Sequence, residues 1–160
     1  GEALCLDVSP KKGRELVTAE DLENAEKKAE TKLHEGDIAI IRTGWSEKYM
    51  QGEIDSATYV KKAPALGADS IKWLINKKIK LLGVDMHSVD LYIENLEDLM
   101  SYEMTPAHFL LLKNEIPIVE DLINLESLSG KRFLYIGLPL KVQNLPDACP
   151  IRAIALLGQQ

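Results

Sequence analysis

The chain has 160 residues, 46% hydrophobic and 28% charged, with a formal net charge of −6. That balance is ordinary for a globular protein of about one domain and excludes a disordered or collagen-like chain. The longest apolar runs, such as Phe109–Leu112 and Ala153–Leu157, fall far short of the ~20 residues of a membrane span. Acidic and basic residues are mixed along the sequence with no basic block, so neither a nucleic acid nor a membrane is expected as a partner.

Ala3–Val8 is apolar without a helical period and is followed by the turn-forming run Ser9-Pro10-Lys11-Lys12-Gly13; a strand and a loop are expected. Thr18 and Asp21 form a capping-box pattern, and Leu22, Ala25 and Ala29 mark one helical face, predicting a helix to about Leu33. Asp37–Arg42 is too apolar for a half-exposed strand and reads as a buried central one. After Thr43-Gly44-Trp45 the segment up to Ala63-Pro64 reads as short helices in a long excursion. Ser70–Lys78 has apolar residues at helical spacing and leads into a second apolar strand, Ile79–Val84. Pro106 opens a helix carrying His108, Leu111 and Leu112, followed by a short strand at Ile116–Val119. Phe133–Leu140 and Ile151–Leu157 are the last apolar segments, with Pro146 and Pro150 between them. Alternating strands and helices predict an α/β protein.

Neither GxGxxG nor GxxxxGK[ST] occurs, so a dinucleotide or P-loop site has no local support. The two cysteines, Cys5 and Cys149, lie near opposite ends of the chain without metal-type spacing; free thiols in a reducing cytoplasm are expected. Of the three histidines, His34 reads as a solvated residue at a charged helix end. His87 follows an apolar strand, where α/β sheets tend to bind ligands. Its neighbours Asp85 and Asp90 read first as caps of the following turn, ahead of a ligand-binding role. His108 and Glu120 are donors suited to a divalent metal, which makes coordinated water acidic. Twelve positions apart, they match no compact helical zinc motif, and a buried histidine satisfied by one hydrogen bond has the same appearance.

Several segments in order resemble the cyclase family of metal-dependent hydrolases, which includes bacterial kynurenine formamidase and isatin hydrolase. These are Gly36-Asp37 through Arg42-Thr43-Gly44-Trp45, Pro64-Ala65-Leu66, Trp73-Leu74, Leu82-Gly83-Val84-Asp85 with Ser88-Val89-Asp90, and His108 to Glu120. The last are Pro139-Leu140-Lys141 and Ala148-Cys149-Pro150-Ile151-Arg152-Ala153, with Cys149 where the family usually has serine. The resemblance implies an α/β domain of the swivelling β/β/α type. It also implies His108 and Glu120 as ligands of a divalent metal, zinc or manganese, and metal-dependent hydrolysis of a C–N bond in a small amide, formamide or lactam, as in arylformamidases. Thr43, Trp45 and His87 would line the substrate pocket, although Trp45 reads equally well as a core aromatic.

The family's other metal ligands and its catalytic histidine belong to an HxGTHxDxPxH motif that these 160 residues lack. Gly1 is not a start codon product and the first methionine is Met50, so a native segment carrying that motif is expected before Gly1. The 160 residues alone are expected to be inactive, with no catalytic residue of their own. An open strand edge is also expected, covered by the preceding segment or by another copy in a homo-oligomer. The alternative is a non-catalytic cyclase-like module that binds a partner or a small ligand.

Overall fold

The computed structural model describes residues 1–94, 105–144 and 148–158. Its main sheet is built on β1 (Glu2–Asp7), whose residues Ala3 to Leu6 are all fully buried. Parallel to β1 runs β3 (Ile38–Arg42), then β5 (Leu81–Val84) and the two-residue β6 (Ile118–Val119). On its other side β1 pairs antiparallel with β7 (Arg132–Pro139), and β7 with β8 (Ile151–Leu156), giving the order β6-β5-β3-β1-β7-β8. A second small sheet, which the sequence reading missed, pairs β2 (Leu16–Val17) with β4 (Ala65–Leu66). Two residues per strand are too few to show an alternating pattern.

The unbroken apolar character of β1 and β3 follows from burial on both faces. Leu4, Leu6, Ala39, Ile41, Leu82 and Val84 belong to the larger core cluster. They share it with residues of α1 (Ala19–Lys28), α4 (Ala68–Asn76) and α5 (Pro106–Lys113). The alternate residues Ala3, Cys5, Ile38 and Ile40 pack with Leu125, Leu128, Phe133 and Tyr135 in a second cluster. Burial pushes the Cys5 thiol up to about 12, so it is protonated and inert, and both cysteines are free. At Gly83 in β5 a Cβ would lie 2.5 Å from Cδ1 of Ile40 and 2.8 Å from Cδ1 of Leu122. The bare glycine lets both side chains close onto the sheet.

The long excursion holds two short helices, α2 (Trp45–Met50) and α3 (Ser56–Lys61). Helix α1 has the anticipated capping box, Thr18 and Asp21 exchanging hydrogen bonds. It stops at Lys28 rather than near Leu33 because Glu30 turns left-handed, with φ 51°. Leu33 is buried and its backbone N–H donates to Glu26 at 2.7 Å. No helix among the described residues is long and apolar enough to cross a membrane.

At the carboxyl end of β1, Asp7 receives the Arg42 guanidinium at 3.0 Å, the Ser9 hydroxyl at 2.6 Å and the Ser129 hydroxyl. Burial pushes its carboxyl up, but the Ser129 and Ser9 hydrogen bonds and Arg42 outweigh that and hold it below the usual range. A depressed carboxyl stabilises the fold above its unfolded value of about 3.9 and loses that contribution as pH falls through the folded one. Asp7→Asn is therefore expected to cost about 2–4 kcal/mol at pH 7. Urea denaturation should show the gap to wild type narrowing at pH 3.

Leu82, fully buried beside α4 and α5 in the larger cluster, tests the core in the same assay. Leu82→Ala should cost about 2–5 kcal/mol at every pH.

Candidate metal centre

The loops after β5 and β6 and the start of α5 converge at the carboxyl ends of the parallel strands. Thr105 precedes α5 without a side-chain cap, and Pro106 occupies its first turn. The cap comes from another loop: Asp90 accepts the Ala107 and His108 backbone N–H groups at 2.8 and 2.9 Å. A carboxylate there satisfies otherwise unpaired donors and complements the helix dipole. Asp90 also lies 2.8 Å from Nδ1 of His108. Accepting a proton from Nδ1 leaves the Nε2 lone pair of His108 outward, the arrangement by which carboxylates orient metal-binding histidines.

Nε2 of His108 lies 3.5 Å from Oε1 of Glu120, which follows β6 directly. The same Glu120 oxygen accepts the Val89 N–H at 2.9 Å, tying the loops after β5 and β6 together. Burial pushes the Glu120 carboxyl up, opposed by His108 and the Val89 N–H. His108 and Glu120 are thus brought together.

Of the residues expected to line a substrate pocket, His87 stands at the site's exposed rim, with Nδ1 3.3 Å from Asp121. The Tyr59 hydroxyl donates to the other Asp121 oxygen at 2.9 Å, and its ring lies 6.3 Å from that of His87, edge to face. Burial, followed by the Asp121 hydrogen bond, pushes the Tyr59 hydroxyl far up, keeping it a neutral donor.

Thr43 and Trp45 are packed inside the protein. Thr43 is fully buried. Its hydroxyl and backbone N–H donate to Asp85 Oδ1 at 2.6 and 2.9 Å, and the Gly44 N–H donates to Oδ2 at 2.8 Å. The Trp45 indole N–H donates to the Tyr59 carbonyl at 2.9 Å, the core reading of that residue. Gly44 takes φ 79° and opens α2, which places these donors around one carboxylate. Asp85 and Asp90, read from the sequence as caps of their own turn, reach instead to other elements. His34 is mostly exposed, 3.6 Å from Asp37.

Asp90 and Asp121 were missed as site residues, as was Tyr59. Asp90 had a sequence signal, lying in the Ser88-Val89-Asp90 segment of the resemblance. Tyr59, forty-nine positions before His108, had none.

Residues 1–91 match the family model described as "Putative cyclase". The chain is 35% identical over 127 residues to an uncharacterised protein of Methanocaldococcus jannaschii, covering 79% of this chain and 57% of that protein. Among solved structures, an isatin hydrolase bound to the product analogue thioisatinate matches with a TM-score of 0.79 and 24% identity, over 99% of this chain and 60% of that one. A protein described as a potential metal-dependent hydrolase with cyclase activity matches with a TM-score of 0.67 and 20% identity, over 97% and 64%. An α/β protein with the isatin hydrolase type of fold is thereby defined. The chain belongs to the putative cyclase family. It spans about 57% of the length of its archaeal relative.

Asp85 offers a direct test of how the site is supported. Burial pushes its carboxyl up even against three donors. Asp85→Ala strands those buried donors and is expected to destabilise the protein by about 3–5 kcal/mol. Urea unfolding followed by tryptophan emission would measure both the loss and the altered Trp45 surroundings.

Proposed function

We propose that this chain carries the His108–Glu120 part of the divalent-metal centre of a hydrolase acting on a C–N bond of a small amide, formamide or lactam. The observation carrying the reading is the relay Asp90–His108–Glu120, in which one carboxylate orients the imidazole towards another. An imidazole nitrogen and a carboxylate oxygen suit zinc or manganese. Their 3.5 Å separation is close to that of two ligands each ~2.1 Å from an ion at a tetrahedral angle. Among the described residues no three His, Cys, Asp or Glu side chains form a metal-holding group. His108 and Glu120 therefore fit as two ligands of a larger set. The metal-dependent hydrolase description of a structural neighbour and the length of the relatives beyond this chain's share support the same reading.

Each residue then has a physical task. Asp90 keeps the Nδ1 proton and so presents His108 through Nε2. The Val89 N–H fixes one oxygen of Glu120. His87 and Tyr59, both directed to Asp121, set the polar rim facing a substrate carbonyl or amide. When bound, the metal would supply an acidified water for attack on the amide. The absence of a third donor among the described residues favours one alternative, a non-catalytic module that binds a small ligand at the same rim.

Titration with Zn²⁺ and Mn²⁺ by calorimetry, with metal content measured after dialysis, separates the two readings. Binding of one ion per chain, abolished in His108→Ala and weakened about 10–100-fold in Asp90→Asn, is the expected result. Metal affinity equal in wild type and His108→Ala would overturn the proposal in favour of the module.

A further inference from the structure

The loop after β5 is bonded to the turn after β6 on both sides of His87. The Asp121 N–H donates to the Met86 carbonyl at 2.9 Å, and the Val89 N–H donates to the Glu120 carboxylate at 2.9 Å. Met86 precedes His87 and Val89 follows it by two residues, so these two bonds hold His87 beside the His108–Glu120 centre. Its side chain is 45% exposed, with Nδ1 3.3 Å from Oδ2 of Asp121.

Asp121 is itself held in place. Its other oxygen accepts the Tyr59 hydroxyl at 2.9 Å, and the buried Tyr59 ring stacks on Tyr49 with centroids 4.9 Å apart. The Asp121 backbone is left-handed, φ 58°, a conformation that few residues besides glycine, asparagine and aspartate adopt readily. An exposed histidine–carboxylate pair adds little to stability. What this one fixes is the imidazole: Nδ1–H donates to Asp121, and Nε2 keeps the lone pair. Asp90 imposes the same tautomer on His108, whose Nε2 faces Glu120. Nε2 of His87 has no such partner among the described residues.

We infer that His87 is a specificity-determining residue of this centre, its Nε2 lone pair accepting the N–H of a substrate amide or lactam, with Asp121 and Tyr59 as positioning residues that hold the required tautomer. The inference rests on the reading of the centre as part of an amide-bond hydrolase. A carbonyl is common to amides and esters; the N–H is what tells a lactam from a lactone of the same shape. An acceptor at the rim bonds that N–H and meets the lactone ring oxygen lone pair to lone pair, so one group both attracts and rejects. Because the imidazole is nearly half exposed, the discrimination is that of one hydrogen bond partly shared with water, about fivefold.

The tautomer is read without metal or ligand, from the imidazole ¹⁵N shifts of histidine-labelled chain, with His87 assigned by its loss in His87→Ala. At about pH 8, where imidazoles are neutral, Nδ1 should carry the proton in wild type. In Asp121→Gly, which keeps the left-handed backbone and removes the carboxylate, the proton should move to Nε2. 2-Pyrrolidinone and its lactone counterpart γ-butyrolactone are then titrated into Zn²⁺-loaded chain and followed by NMR. The lactam should bind about fivefold more tightly, and the preference should vanish in His87→Ala. Zinc affinity should be equal in that variant, since no three His, Cys, Asp or Glu side chains among the described residues form a metal-holding group. A wild-type proton on Nε2, equal binding of the two probes, binding of neither, or a preference that survives His87→Ala would overturn the inference. A chain that takes up zinc and fails the lactam comparison loses this inference alone; a chain that takes up no zinc loses the reading of the centre and the inference with it.

Discussion

The carboxyl ends of the parallel strands are laced together by acids, and the site depends on that lacing. Asp7 at the end of β1 holds Arg42 of β3. Asp85 after β5 holds the Thr43 and Gly44 amides after β3. Glu120 after β6 holds the Val89 amide of the loop after β5. Each bond joins an element to its sheet neighbour across the gap where strand pairing stops. Loops at such an end are where α/β proteins bind ligands, and here they are held by charge-assisted hydrogen bonds, stronger than neutral ones.

These acids do not share one electrostatic state. Asp7 is held low by its hydrogen bonds and Arg42, whereas burial raises Asp85 and Glu120. A paired acid at the end of β1 thus coexists with acids further along the sheet edge that retain a proton more readily. Asp90 serves two masters, the bare start of α5 and the imbalance between the two nitrogens of His108. A single carboxylate therefore decides both where a helix begins and which face its histidine presents.

The main strands were legible in the sequence because burial on both faces makes them continuously apolar, as at Leu4–Leu6 and Ile38–Ile41. The capping box of α1 was legible because its chemistry is local. Its early end was not, since nothing in Glu30 advertises a left-handed backbone. His108 and Glu120 could be named as a pair only through the ordered likeness to a family, because twelve intervening residues give no geometric period. The reach of Asp85 to Thr43, forty-two positions away, is set by strand order, which periodicity does not encode.

Gly83 has a wider reach than its size suggests. Because it carries no side chain, Leu122 settles over β5, and Leu122 is two residues beyond Glu120. The depth to which that leucine sinks acts as a mechanical stop for the turn above it. The setting of the Glu120 carboxylate is thereby coupled to how closely Leu122 and Ile40 pack against the bare backbone of β5. A single added methyl at position 83 would be felt at that carboxylate, though it would touch neither it nor the imidazole beside it.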